Sequence, residues 1–162
     1  MNHESRITND VRVAIALGSN LGDREQHLRD AVAALNPDVV DIRLSRFYET
    51  EPVDMPGQPP RIINAALTGT TTLDPHALLR RLLAIETDLG RQRPYPGASR
   101  TVDLDVILYG DAVIDDAPEL RVPHPRFRER AFVLEPLAEV AGDWIDPVTG
   151  KSIAELLAAL RR

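Results

Sequence analysis

The chain has 162 residues, of which 43% are apolar, enough to close one core and too few for two ordinary domains. Its 25 acidic and 19 basic residues give a net charge of -6, which excludes a general nucleic-acid binder, whose affinity rests on surplus Lys and Arg. The absence of Cys excludes a disulfide scaffold, a thiolate metal site and a cysteine nucleophile, and 4% aromatics leave little for a base-stacking platform.

Residues 1–10 contain Glu4 and Asp10 and no apolar run, so they read as a flexible extension rather than a signal peptide, ahead of a single domain over 11–162. No window reaches the roughly 18 continuous apolar residues of a membrane span. The apolar run 11–17, closed by Gly18-Ser19-Asn20, predicts a buried strand. Asp23 caps a helix with Leu28, Ala31, Val32 and Leu35 at helical spacing, stopped by Asn36-Pro37. Residues 39–48 alternate, with Val40, Ile42 and Leu44 predicted inward against Asp41, Arg43 and Ser45. Four prolines in 50–60 forbid regular structure there, and 62–72 returns to strand.

Asp74-Pro75 starts a helix whose predicted apolar face is Leu78, Leu79, Leu82, Leu83, Ile85 and Leu89, with Gly90 as the stop. A loop over 91–100 leads into a strand over 101–109. Gly110-Asp111 turns that strand towards a weak partner at 112–114, and short helices follow at 132–140 and 152–160. This β-α-β-β-α-β order predicts an α+β fold: a ferredoxin-like antiparallel sheet with packed helices and an added C-terminal hairpin and helix region. Such a fold hosts many functions, so function must come from the site.

In Arg100-Thr101-Val102-Asp103-Leu104-Asp105-Val106-Ile107-Leu108, alternation sends Val102, Leu104, Val106 and Leu108 inward and puts Asp103 and Asp105 together on the other face, about 7 Å apart at their Cα atoms. Two such carboxylates can hold Mg²⁺, with phosphate and water oxygens completing the octahedron. A D-x-D pair alone is more often a solvated strand face. Upstream, however, Gly90 to Arg100 holds three arginines and no acid, and guanidinium forks beside metal-suited carboxylates are the parts that neutralise a polyphosphate. A second basic segment, 121–130, contains His124 between prolines, which either donates to a phosphate or satisfies a loop carbonyl; Arg126 or Arg128 reads as surface charge. Residues 91–100 and 121–130 each carry +3, so the remaining 142 residues carry -12: an acidic body with two cationic segments beside a carboxylate pair. Gly18-Ser19-Asn20-Leu21-Gly22-Asp23 lacks the Lys-Ser/Thr of a Walker A loop and reads as a strand-to-helix turn. Asn64 offers an amide that can pair with the edge of a flat heterocycle.

Those blocks, with Tyr48-Glu49-Thr50-Glu51-Pro52, Gln58-Pro59 with Asn64-Ala65, Glu86 with Gly90-Arg91-Gln92-Arg93, Pro123-His124-Pro125-Arg126 and Arg130-Ala131-Phe132-Val133-Leu134-Glu135-Pro136-Leu137, closely resemble the 6-hydroxymethyl-7,8-dihydropterin pyrophosphokinase family. The resemblance implies transfer of pyrophosphate from ATP to a pterin hydroxymethyl group in folate biosynthesis, in a cytoplasmic enzyme that is a monomer or weak dimer and binds neither nucleic acid nor membrane. It implies that Asp103 and Asp105 ligate two Mg²⁺ ions and that Arg91 and Arg100 engage the β- and γ-phosphates. Glu86, Arg93, Val106, His124 and Arg130 match positions that contact ATP. Thr50, Val53 and Asn64 match the pterin edge, and Phe132 a stacking ring. The second stacking position, usually aromatic, is Ile62 here, one residue is inserted near Pro59-Pro60-Arg61, and the arginine loop is a residue short with Ser99 before Arg100. The rival readings are a metal-dependent nuclease and a non-catalytic ligand-binding domain of the same fold.

Overall fold

Two interleaved rows of side chains on strand β1 (Val11–Ser19) organise the molecule, a computed structural model that describes residues 10–20, 22–50, 62–90 and 101–162. Because successive side chains of a strand face opposite ways, Val13, Ile15 and Leu17 enter one core while Ala14 enters another, with Ala16 packed at its margin. β1 lies between β4 (Ile62–Thr71) and β5 (Asp103–Tyr109), and β2 (Val39–Leu44) lies beyond β4, giving the order β2-β4-β1-β5 with every neighbour antiparallel. A short β3 (Tyr48–Thr50) also pairs with β4.

Helices cover both faces of this sheet. α1 (Arg24–Leu35) and α2 (Pro75–Leu89) bring Leu28, Ala31, Leu35, Leu78, Leu82 and Ile85 to the first core. α3 (Ala131–Ala141) and α4 (Ile153–Leu160) bring Val133, Leu134, Leu137, Ile153, Leu156 and Leu157 to the second. The architecture is thus a mixed α/β fold on an antiparallel sheet. Among the described residues no helix is long and apolar enough to cross a membrane.

The helix starts follow from local chemistry. Asp23 accepts from the Gln26 N–H (3.2 Å) and Asp74 from the Ala77 N–H (2.8 Å), while Ser152 and Glu155 form a reciprocal capping box. With the Asp74 acceptor removed, Asp74→Ala should cost about 1 kcal/mol. Thermal unfolding should show this as a Tm lower by about 3 °C for a chain of this size.

Strand phase departs from the alternation pattern in two places. The expected strand over 39–48 breaks at 45–47, and its register against β4 shifts between Val40 and Arg43, with Asp41 at φ 55°. One slipped residue exchanges faces, so Val39 is buried and Val40 is 41% exposed, while Ser45 turns inward and exchanges hydrogen bonds with the Ala66 backbone. A second shift, between Ala14 and Ile15 against β5, puts Ile107 and Leu108 together in the second core, whereas Leu104 and Val106 stay in the first.

Two further expectations are corrected, and one alternative is decided. The buried face of α2 is narrower than the leucine pattern, and Leu83 is 48% exposed. The segment after Gly110 does not pair with β5: β6 (Ile114–Asp116) forms a separate hairpin with β7 (Leu120–Val122). Of Arg126 and Arg128, one of which reads as surface charge, Arg126 is the exposed one, whereas the Arg128 guanidinium binds Asp146, whose side chain has no solvent exposure.

Candidate active site

Pairing across three strands sets the floor of the site. Asn64 on β4 and Asp103 on β5 are both partners of Gly18, and two residues along β1 Ala66 and Asp105 are both partners of Ala16. At about 4.8 Å per strand, Asn64 and Asp103 stand roughly 10 Å apart across a floor with almost no side chains. A Cβ on Gly18 would meet Asn64 Oδ1 at 3.3 Å, so glycine keeps this floor open. The small-residue row Ala14, Ala16, Gly18 was the sequence signal for it.

Above the floor is a cleft of about 670 Å³. Asp103 and Asp105 are exposed on one side, while Thr50, Ile62 and Asn64 line another. The Asn64 amide donates to Thr50 Oγ1 (2.9 Å), which orients the amide with its NH₂ group toward Thr50 and its oxygen toward Gly18. Phe132, 42% exposed in the first turn of α3, forms part of the third wall with the Arg130 guanidinium 5.6 Å from its ring centroid. His124 also faces this cleft. Its backbone N–H donates to the Ile107 carbonyl, and its ring Nδ1 accepts from the Arg126 N–H (3.2 Å), so the neutral ring carries its proton on Nε2. Burial pushes the imidazole below its usual pKa; the Asp105 carboxylate opposes that shift, and Arg130 and Arg126 reinforce it.

Eight of the residues singled out from sequence therefore share one cleft: Thr50, Ile62, Asn64, Asp103, Asp105, His124, Arg130 and Phe132. Val106 is buried and lines an adjoining cleft of about 210 Å³ that shares Asp105 and His124 with the first. Glu86 sits behind the carboxylate strand, and its Oε2 accepts from the Leu104 N–H at 2.7 Å, between the two aspartates. Val53, Arg91, Arg93 and Arg100 lie outside the described residues. Glu135, which sequence reasoning passed over, also lines the cleft and pairs with Arg161 (2.8 Å); its spacing of three from Phe132 on α3 was the available signal.

Among the described residues no group of three or more His, Asp or Glu side chains converges as a metal cage. Asp103 and Asp105 instead form a pair of hard oxygen donors. That set fits Mg²⁺, which keeps waters and substrate phosphate oxygens in its remaining positions rather than demanding an all-protein cage.

Residues 14–142 match the model of the 7,8-dihydro-6-hydroxymethylpterin-pyrophosphokinase (HPPK) family. A 2-amino-4-hydroxy-6-hydroxymethyldihydropteridine pyrophosphokinase of Bacillus subtilis is 46% identical over 128 residues, covering 78% of this chain and 75% of the relative. The folic acid synthesis protein fol1 of Pneumocystis carinii is 40% identical over 152 residues, which is 93% of this chain but only 20% of that longer protein. The wild-type HPPK-DHPS of Plasmodium falciparum superposes with a TM-score of 0.74 at 13% identity, over 93% of this chain and 44% of that one, a likeness of fold. With a family match over most of its length and close relatives across it, this chain belongs to the 7,8-dihydro-6-hydroxymethylpterin-pyrophosphokinase family.

Proposed function

We propose that the chain transfers the terminal pyrophosphate of ATP to the hydroxymethyl oxygen of 6-hydroxymethyl-7,8-dihydropterin, giving AMP and the pterin diphosphate for folate biosynthesis. The observation that carries this reading is the single cleft in which a carboxylate pair, an oriented amide and an exposed aromatic ring share the small-residue face of one sheet. A flat heterocycle fits between Phe132 and the Ile62 side, its edge read by Asn64 and Thr50. Its hydroxymethyl arm then reaches toward Asp103 and Asp105.

Asp103 and Asp105 would hold Mg²⁺, two ions by the family resemblance. When bound, the metal offsets phosphate charge and lowers the pKa of the attacking hydroxyl. The bond formed joins that oxygen to the β-phosphorus; the bond broken leaves the bridging oxygen on AMP. His124, neutral with its proton on Nε2, and Arg130 would donate to phosphate oxygens, and Arg91, Arg93 and Arg100 would add the guanidinium charge that a phosphoryl group demands in flight. Val106 and the adjoining cleft would take the nucleoside part of ATP. Glu86 would act on that side through the strand backbone it holds.

We read residues 11–162 as one pyrophosphokinase domain, and the order β2-β4-β1-β5 with α1 and α2 crossing one face supports the ferredoxin-like description. A cytoplasmic monomer acting on small molecules is the reading of its context. The net charge of -6 speaks against the nuclease alternative, whose polyanionic substrate calls for a surplus of Lys and Arg.

Incubation with Mg-ATP should release AMP only when the pterin is present. AMP release without pterin, or none with folded protein, would overturn the reaction. Phe132→Ala should raise the pterin KM about tenfold, the scale of one lost base-aromatic stack, with a much smaller change in ATP KM. Steady-state kinetics with each substrate varied in turn checks this, and equal changes in both KM values would remove Phe132 from the pterin wall.

A further inference from the structure

Two of the cleft's walls stand on separate elements, α3 with Phe132 and the β3-β4 pair with Thr50, Ile62 and Asn64, and beside the apolar packing of α3 on the sheet one carboxylate adds a polar tie from α3 to β3. Glu139 lies seven residues after Phe132 on α3, so it projects from nearly the same helix face, about 10 Å further along the axis. Its Oε1 accepts from the Tyr48 hydroxyl (2.7 Å) and from Arg46 Nε (3.2 Å), and its carboxylate also takes the Arg46 backbone N–H (3.1 and 3.2 Å to the two oxygens). Arg46 Nη2 closes the ring by donating to the Tyr48 oxygen (2.9 Å). Partial burial pushes the Glu139 carboxyl up, but the bonds from Tyr48 and Arg46 outweigh it and hold the group below its usual range, so it is an ionised acceptor at neutral pH.

The network continues into the cleft. Tyr48 is the direct cross-strand partner of Asn64, and the Asn64 amide in turn donates to Thr50 Oγ1 (2.9 Å), so Glu139, Tyr48, Asn64 and Thr50 form one chain of contacts from helix to substrate edge. Ser45, just before Arg46, is bonded to Ala66 through both its N–H and its hydroxyl, which fixes the corner from which β3 departs. The position of β3 relative to α3 is therefore set by Glu139 at one end and by the sheet at the other.

We propose that Glu139 is a positioning residue for pterin recognition, setting the gap between the Phe132 ring and the Thr50-Asn64 edge. It touches no substrate; its effect passes through Tyr48 and β3. The inference rests on the pterin reading of this cleft, and its signature is selectivity between substrates. Loss of the tie widens or skews the pterin slot, while the carboxylates of β5, held by β1 on the other side of the floor, keep their places.

The test is steady-state kinetics of AMP release for wild type, Glu139→Ala, Glu139→Gln and Tyr48→Phe, with thermal unfolding of each. Glu139→Ala should raise the pterin KM about tenfold, leaving ATP KM within twofold and kcat within about threefold. Glu139→Gln, which keeps an oxygen acceptor for the Arg46 N–H and the Tyr48 hydroxyl, should recover most of that loss, and Tyr48→Phe should raise the pterin KM severalfold. An unchanged pterin KM in Glu139→Ala and Tyr48→Phe, or KM values for both substrates rising together, overturns the proposal. If Glu139→Ala does not fold, Tyr48→Phe decides by the same criterion. Absence of pterin-dependent AMP from the wild type would sink the assigned reaction itself, an outcome distinct from wild-type turnover with variants that match it.

Discussion

Asp105→Ala should fold as the wild type does and turn over more than a hundredfold slower. The side chain is exposed and stands opposite Ala16 on β1, so its removal leaves no cavity and strips no packed partner. Fold should therefore be spared, with Tm unchanged within about 1 °C, since surface substitutions away from special features move stability by less than about 0.5 kcal/mol. The kinetic loss follows from what the carboxylate would do: it fixes positive charge where negative charge is handed from one phosphate oxygen to another. A group of that kind is commonly worth about 10²–10³ in kcat. Asp105→Asn, which keeps an oxygen donor but no charge, should fall between wild type and Ala and should need more Mg²⁺ to reach half its maximal rate. Pterin-dependent AMP release across a Mg²⁺ series measures both. Retention of kcat within threefold in the Ala variant would remove the metal role.

Asp146→Ala should lose about 3 kcal/mol of stability, near the low end for breaking a buried ion pair. The Asp146 side chain has no solvent exposure and accepts from Arg128 Nε (2.6 Å), Arg128 Nη2 (3.0 Å), the Val148 N–H (3.0 Å) and the Thr149 hydroxyl (2.7 Å). A buried pair of this sort is not stronger than an apolar one would be. Its removal is costly because the guanidinium and the Val148 N–H stay behind without their acceptor. Arg128 keeps 25% exposure, so water recovers part of the loss, which is why the low end applies. For a chain of this size the Tm should fall by about 10 °C.

The pH dependence of Asp146 has a definite sign. Burial pushes its carboxyl up, but Arg128, Thr149 and the Val148 N–H outweigh that and hold it below the usual carboxylate range. A carboxyl depressed in the folded state contributes its stability in full above the unfolded-state pKa of about 3.9 and loses it as the pH falls toward the folded value. Denaturant unfolding between pH 6 and pH 3 should therefore show a steeper acid loss in wild type than in Asp146→Asn. Equal slopes would mean that the carboxylate is not ionised in the native state.

What the sequence revealed divides by range. The caps at Asp23 and Asp74-Pro75 were legible because each is settled within one helical turn. The exposed pair Asp103 and Asp105 was legible because a two-residue period places both on one face whatever the partner strand. The phases of β2 and the end of β5 were not, since the bulges that expose Val40 and send Leu108 to the second core are decided by register against β4 and β1. The choice between Arg126 and Arg128 as the surface charge stayed open for the same reason: the partner of Arg128 is 18 residues away beyond α3. In the site, resemblance supplied roles that spacing alone could not, and folding supplied the contacts that resemblance did not mention. Glu86 bonding the Leu104 N–H, Asn64 bonding Thr50 and Glu139 bonding Tyr48 all join elements far apart in the chain.

Among the described residues, strand β5 ends the sheet on one side, and β2 and β3 end it on the other. A bare terminal strand is a template onto which another chain can add its own. Here the Leu104 N–H is already taken by Glu86, with an exposed aspartate on either side, and β2 is kinked at Asp41 and carries an exposed Arg43. The acids proposed to hold the metal would thus also keep the sheet from growing into a neighbour's. An inactive form made by placing valines at 103 and 105 would expose a β-prone apolar strand to aggregation, whereas asparagines would silence the chemistry and leave the border polar.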